Sequence, residues 1–341
     1  MLILLTGGTG YLGSHTTAAL VRAGHRVRLL VRGRGGVAAA LGPLDIDPAA
    51  VRQVRGDVTD PEVVARAADG CDAVVHLAGR YSFDSRRHRG MWDANVRGTE
   101  VVLRAARTAR LDPIVHVSTF GALAPGPEGT ITVDSPAAKP RETYLASKVA
   151  AELVARRHQD EGAPVVITYP LATLGPADPH LGDQVTRVRD TLRGLMPMWP
   201  TGGFPIGDVR DVARLHTAVL EPGQGPRRFL APGHYVTTRK YLAILREVTG
   251  RRLPAIHLPV GLMLPVTALA SAAQRLIPAR IPAQYGAVYA CAVSRPVDNR
   301  RTSSLLGDEG QPLTRTMTDT VRWLNETGRI TAAAAGRAAL T

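Results

Sequence analysis

Leu2-Ile3-Leu4-Leu5-Thr6-Gly7-Gly8-Thr9-Gly10-Tyr11-Leu12-Gly13 decides the fold. An apolar run of strand length enters a turn in which Gly7, Gly10 and Gly13 are evenly spaced, and a helical pattern starts at Tyr11. Such a turn presents a helix N-terminus to a dinucleotide pyrophosphate. Gly7 permits the tight turn, Gly10 lets backbone N–H groups approach phosphate, and Gly13 lets the helix pack on the strand. Tyr11 and Leu12 open the helix beside the same phosphates. Glycine-rich turns are common, and it is the strand–turn–helix–strand context that gives this one its meaning.

Outward from that turn, strand patterns recur at Arg26–Val31, Val51–Arg55, Ala73–Leu77, Pro113–Ser118 and Pro164–Tyr169. Helical patterns fall at Tyr11–Ala23, Pro61–Ala68, Met91–Ala109 and Thr143–Gln159. The alternation predicts an α/β protein with a doubly wound parallel sheet, covered by helices on both faces. The second half is richer in Pro and Gly. Gly175–His180 and Pro200–Gly207 read as loops, and Val209–Leu220, Arg239–Thr249 and Thr316–Asn325 as helices. Residues 1–170 are expected to bind the dinucleotide, and 171–328 to form a smaller, interleaved α+β substrate lobe. Ala-rich 329–341 is expected to be a flexible tail.

The 341 residues suffice for a full core, and 45% hydrophobic with 21% charged residues is ordinary for a globular enzyme. The formal net charge of +13 is spread along the chain, mostly as Arg, without a Lys/Arg block. That argues against a nucleic-acid partner and leaves anionic ligands. Cys71 and Cys291 show no spacing pattern and the first residues no leader pattern, so a cytoplasmic protein is expected. Leu258–Ala273, interrupted by Pro259 and Pro265, is short for a membrane span. It reads as a buried helix, a lid over substrate, or a membrane-touching segment. His15, His25, His76, His116 and His216 lack metal-ligand spacing, and no metal is expected.

The second strand ends at Val31-Arg32, where an acidic residue would hold the ribose hydroxyls of NAD. Arg32, with Arg34 close behind, instead suits a ribose 2′-phosphate, so NADP(H) is preferred over NAD(H). Arg32 read as an ordinary surface arginine is the alternative. Asp57-Val58 offers a carboxylate to the adenine amino group, or a cap for the following helix. Leu77-Ala78-Gly79 places small residues where backbone must approach the cofactor.

Tyr144 and Lys148 stand four apart at the start of a helical pattern, on one helix face. A lysine cation favours the phenolate and lowers the tyrosine pKa, so the pair can exchange a proton with a carbonyl or alcohol oxygen. Val117-Ser118-Thr119, at the end of the preceding strand, supplies hydroxyls near the same place.

These residues together resemble an extended short-chain dehydrogenase/reductase of the epimerase/dehydratase superfamily. The resemblance runs through Thr6–Gly13, Asp57-Val58, His76–Gly79, Asn95–Thr99, Val117–Thr119, Tyr144/Lys148, Tyr169-Pro170, Gly175-Pro176 and Asp208–Ala213. It extends to Arg322–Leu324. Within that superfamily the chain is most similar to the dihydroflavonol-4-reductase-like and 3β-hydroxysteroid-dehydrogenase-like branch.

The resemblance implies a Rossmann-type sheet and residue roles. Tyr144 would be the acid/base, Lys148 would bind the nicotinamide ribose, and Thr119 would hydrogen-bond the substrate oxygen, with Ser118 the neighbouring candidate. Tyr169-Pro170 would lie beside the nicotinamide, and Asn95 near the cofactor or in a structural role. It also implies a homodimer through the helices at Met91–Ala109 and Thr143–Gln159. Phe120-Gly121 stands where sugar-nucleotide dehydratases carry an Asp-Glu pair, so water elimination is not expected. Gly207 stands where many members carry His.

For the substrate pocket, Tyr81 and Phe83 in Arg80–Phe83, together with Phe120, His180 and Trp199, are candidates; loop or lobe core is the plainer reading for several. The expected activity is NADP(H)-dependent reduction of a ketone, or its reverse, on a small apolar or ring-bearing metabolite. One rival is a nucleotide-sugar epimerase holding NAD tightly. Another is a non-catalytic NADP(H) sensor, though such proteins commonly lose the Tyr/Lys pair that this chain retains.

Overall fold

β1 (Leu2–Thr6) sends Ile3 and Leu5 into one core cluster and Leu4 into another, on opposite faces of the sheet. That is why its apolar run does not alternate with polar residues: a central parallel strand is buried on both sides. α1 (Tyr11–Arg22), β2 (Arg26–Val31), α2 (Gly36–Leu41), β3 (Val51–Arg55), α3 (Pro61–Ala68) and β4 (Ala73–His76) follow. A π-helical turn, Asp93–Arg97, leads into α4 (Gly98–Thr108), β5 (Ile114–Val117), α5 (Thr143–Asp160) and β6 (Val165–Tyr169). The chain is described here from a computed structural model that covers residues 1–33, 35–81, 90–273 and 285–339.

The second half contributes β7 (Ala172–Leu174), α6 (Asp183–Leu192), β8 (Met198–Pro200), β9 (Gly203–Asp208), α7 (Val209–Ala218), β10 (Arg227–Leu230) and β11 (His234–Thr237). α8 (Thr238–Thr249), β12 (Ile256–Leu258), α9 (Val260–Ala273), α10 (Tyr285–Val293), α11 (Arg300–Leu306), α12 (Leu313–Glu326) and α13 (Ala332–Ala335) complete it. The main sheet has the order β3-β2-β1-β4-β5-β6-β10, all parallel, so a strand of the second half closes its edge. The strand order reverses between β1 and β4, the place where ligands sit in open α/β sheets. β7, β9 and β11 form a smaller mixed sheet over a third core of α6, α8 and α12 residues.

Two expectations are corrected, and one open reading is narrowed. Pro200–Gly207, read as a loop, contains strand β9. A Cβ on Gly203 would lie 2.4 Å from the Val236 carbonyl oxygen, and one on Gly207 2.2 Å from that of Pro232. The glycines mark close backbone approach rather than a turn. The same contact explains why glycine occupies position 207: no side chain fits there. The stretch after Gly328, expected to be flexible, buries Ala335 and Ala338 against the lobe. Finally, α9 is not a buried helix, because Leu262, Val266 and Leu269 are exposed. Among the described residues no helix is long and apolar enough to cross a membrane.

Candidate active site

Gly7 turns the chain at φ +78°, and Gly10 N–H donates to the Gly7 carbonyl at 3.0 Å. A Cβ on Gly7 would lie 2.7 Å from the Ala78 nitrogen, and one on Gly13 2.1 Å from the Gly7 oxygen. The turn is therefore a bare backbone cradle at the start of α1, which fits a dinucleotide pyrophosphate. Tyr11 Oη is buried without a hydrogen-bond partner among the described residues, and Leu12 packs against the core under the turn. Gly13→Ala is expected to destabilise the protein by roughly 1–3 kcal/mol and to weaken NADH binding, read by thermal melting and fluorescence titration. An unchanged melting temperature and affinity would contradict the close packing.

Thr6 ties this turn to β4. Its hydroxyl hydrogen-bonds His76 Nδ1 at 2.7 Å and accepts from Ala78 N–H at 3.2 Å. Leu77 packs against the core and Gly79 is exposed, with Asn95 Oδ1 3.1 Å from where a Cβ would stand. At the other end of the groove Asp57 does not cap α3; Asp60 does. Asp57 instead accepts from the Thr59 N–H and hydroxyl, at 2.9 and 2.7 Å. The Thr59 hydrogen bonds, helped by the charges of Arg32 and Arg80, hold its carboxyl below the ordinary range. Val58 packs on Gly98 at the start of α4. Arg32 is exposed, and Arg34 lies outside the described residues.

α5 carries the Tyr/Lys pair and starts where Glu142, almost fully buried, accepts from the Tyr144 and Leu145 N–H groups at 3.0 and 2.8 Å. Sequence reasoning missed this cap, although an acidic residue ahead of a helical pattern was its signal. Lys148 Nζ donates to the Val117 carbonyl at 3.0 Å, at the end of β5. The expected depression of Tyr144 by Lys148 is not found. Burial, and then the Glu142 and Asp183 carboxylates, push the phenol up. Burial pulls Lys148 down to about 8; burial, and then the Lys148 charge, lowers His76 and His116.

A lysine depressed in the folded state makes its largest demand on stability while the pH is below about 8, and the cost fades as pH rises towards about 10.5. Cofactor-free wild type is therefore expected to gain stability relative to Lys148→Met over that interval, read as urea midpoints at two pH values. A pH-independent difference would contradict the buried charge.

Ser118 Oγ is buried without a partner among the described residues. Thr119 accepts from Gly121 N–H at 3.3 Å, and Phe120 follows in a short turn whose N–H donates to the Pro170 carbonyl. Pro170 thus lies against the Thr119 strand end. Tyr169 does not face the cofactor groove: it is fully buried, and its hydroxyl donates to Glu152 at 2.7 Å.

Asn95, in the π-helical turn, donates to Ser147 Oγ at 2.9 Å and to the Arg80 carbonyl at 3.1 Å, and accepts from Arg80 N–H at 2.7 Å. It binds the segment after β4 to α5, which is a positioning role. That segment sets Tyr81 edge-on to Tyr144, with ring centroids 4.8 Å apart. Although 46% of Tyr81 is exposed, its hydroxyl end is desolvated and hydrogen-bonded to Asp183 of α6, which raises its pKa. Asp183 was missed in the sequence; nothing local marks it. Of the other pocket candidates, Trp199 is 2% exposed and packs on Tyr241 in the lobe core. His180 sits on the glycine turn, its Nε2–H donating to the Thr9 carbonyl at 3.0 Å. Phe83 lies outside the described residues.

The NAD dependent epimerase/dehydratase family model matches residues 3–231. Sterol demethylase protein B of Methylococcus capsulatus is 29% identical over 335 residues, 97% of this chain and 100% of that protein. The 4-hydroxy-2-methyl-3-oxo-4-farnesyl-3,4-dihydroquinoline-1-oxide ketoreductase of Stigmatella aurantiaca is 30% identical, covering 96% of this chain and 98% of that one. Among solved structures, the dTDP-glucose 4,6-dehydratase DesIV of Streptomyces venezuelae superposes with TM-score 0.73 at 25% identity, covering 96% and 97%.

DesIV carries NAD, as do the other compared structures solved with a dinucleotide. The NADP(H) preference drawn from Arg32 is corrected accordingly. An exposed guanidinium whose charge is felt by the Asp57 carboxylate balances that carboxylate, and does not by itself select a 2′-phosphate.

Proposed function

The chain belongs to the NAD dependent epimerase/dehydratase family, as an NAD(P)-dependent enzyme of the extended short-chain dehydrogenase/reductase kind, and from that premise we propose that it moves a hydride between NAD and one carbinol or ketone carbon of a small metabolite. The observation that carries this is the Tyr144–Lys148 face of α5, set against the ends of β4 and β5 beside the glycine cradle. Bound NAD would supply the hydride donor or acceptor. Tyr144, held as a neutral phenol by burial and two carboxylates, starts as a proton donor, which suits protonation of a carbonyl oxygen. Ser118 and Thr119 offer hydroxyls to that oxygen, and Lys148 anchors the end of β5.

A ring-bearing, apolar substrate is supported by two full-length relatives, a sterol demethylase protein and a farnesyl-quinoline ketoreductase, and ketone reduction by the second of them. A putative dihydroflavonol 4-reductase of Synechocystis, 31% identical over 77% of this chain, points the same way. Phe120-Gly121 lacks the carboxylates that water elimination needs.

The epimerase reading, in which one carbon is oxidised and then reduced again by retained NAD, has the broader support. It rests on the family match and on the sugar-nucleotide enzymes among the relatives and structural neighbours. Turnover against a panel of ring ketones and nucleotide sugars separates the two. Stoichiometric NADH consumption with a ketone supports the first; isomerised sugar without net NADH consumption supports the second. No reaction with any of them would count against both.

A further inference from the structure

The glycine cradle is not open on its outer side. Residues 175–183 run from the cradle to Tyr81 and Tyr144, and two hydrogen bonds and one close approach place them there. A Cβ on Gly175 would lie 3.1 Å from Tyr11 Oη, His15 Nε2–H donates to the Pro176 carbonyl at 3.1 Å, and His180 Nε2–H donates to the Thr9 carbonyl at 3.0 Å. The segment is folded tightly to make them. Ala177 and Leu181 both take positive φ, at 56° and 48°, a conformation non-glycine residues adopt only when their surroundings hold them. What holds them is Asp178, 1% exposed, whose carboxylate accepts from the His180 N–H at 2.9 Å and from the Gly182 N–H at 2.7 Å. One residue further, Asp183 meets Tyr81 and Tyr144.

We propose that residues 175–183 form a strap over the dinucleotide, with His180 as its latch. Thr9 and Gly10 supply the cradle backbone, so a bond to the Thr9 carbonyl fixes the turn that phosphate oxygens face. The far end of the strap sets the Asp183–Tyr81–Tyr144 cluster where the nicotinamide end must lie. A single segment therefore runs from the pyrophosphate to the nicotinamide half of the cofactor, and its opening governs how long NAD stays bound. His180 is a positioning residue: it acts through the Thr9 backbone and need not touch the reacting atoms. The inference rests on the reading that this cradle holds NAD, and it deepens that reading, because retained NAD is what an epimerase needs and rapid exchange is what a ketone reductase needs.

Stopped-flow displacement of NADH by excess NAD, followed by NADH fluorescence, tests it on the full-length protein. His180→Ala is expected to speed NADH release about threefold to tenfold, the loss of one hydrogen bond, with the melting temperature of the cofactor-free protein lowered by no more than about 4 °C. His180→Gln, which keeps a donor in reach of the Thr9 carbonyl, is expected to restore most of the slow release. Unchanged release from His180→Ala, or equally fast release from both variants, would overturn the strap. Wild-type protein that binds no NADH would overturn the cofactor reading itself. Altered release with Tyr144-dependent turnover would leave both standing, and unaltered release with such turnover would remove the strap alone.

Discussion

Tyr144→Phe is expected to lower kcat about 10²–10⁴-fold, the usual contribution of a positioned acid/base, while NADH affinity and fold are kept. The ring would stay, packed edge-on against Tyr81 at 4.8 Å between centroids. Only the hydroxyl goes, and burial together with Glu142 and Asp183 keeps that group protonated in the cofactor-free protein. The effect falls on proton transfer and so on kcat rather than on binding. Paired kcat and NADH titration measurements check this. Wild-type turnover in the variant would pass the proton to Ser118 or Thr119 and remove Tyr144 from the reaction.

The second large effect concerns stability. His76, His216 and His15 are buried and neutral in the folded chain, with pKa values pulled down to about 3, 3 and 4, chiefly by burial. His216 bridges Thr16 and Thr168, and His76 bridges Thr6 and Thr99, so these rings stitch α1, β6, β1 and α4 together. An unfolded chain protonates each of them below about pH 6.5, whereas the folded one does not, so stability is lost as pH falls below that value. At pH 5 each ring costs about 2 kcal/mol, and three such rings amount to a large part of a typical stability of about 5–15 kcal/mol. Asp178 and Asp211, held up by burial, act with the opposite sign and offset some of the loss nearer their ordinary range. Urea midpoints should therefore drop steeply between pH 6.5 and 5. His216→Gln should reduce that slope by about 1.4 kcal/mol per pH unit, one proton's worth. Flat midpoints across the interval would mean that the rings ionise within the fold.

The parallel sheet was legible because its signals are local. Apolar runs of strand length, punctuated by glycine and followed by helical periodicity, placed β1 to β6 within a residue or so of where they stand. The cradle and the Tyr144–Lys148 pair were legible for the same reason: each is a short spacing on one element. What escaped depends on residues far apart in the chain. β9 looks like a loop until β11 and the Pro232 backbone come close enough to require its glycines. Trp199 looks like a pocket residue, and Tyr169 like a neighbour of the nicotinamide, until lobe packing and Glu152 claim their side chains. Asn95 links α5 to the segment after β4, and Asp183 reaches Tyr144 from the other lobe. Arg32 shows the opposite error, in which a residue type at the expected position was given a ligand that its surroundings do not select.

The central claim is hydride transfer between NAD and a substrate carbon at the Tyr144 site. It is tested most directly by loading the protein with NADH deuterated on the nicotinamide and following the label by mass spectrometry of the product. Deuterium is expected on the reduced carbon in wild type, with labelled product formed about 10²–10⁴-fold more slowly by Tyr144→Phe. Product formed by wild type without deuterium, from either face of the labelled nicotinamide, would contradict it.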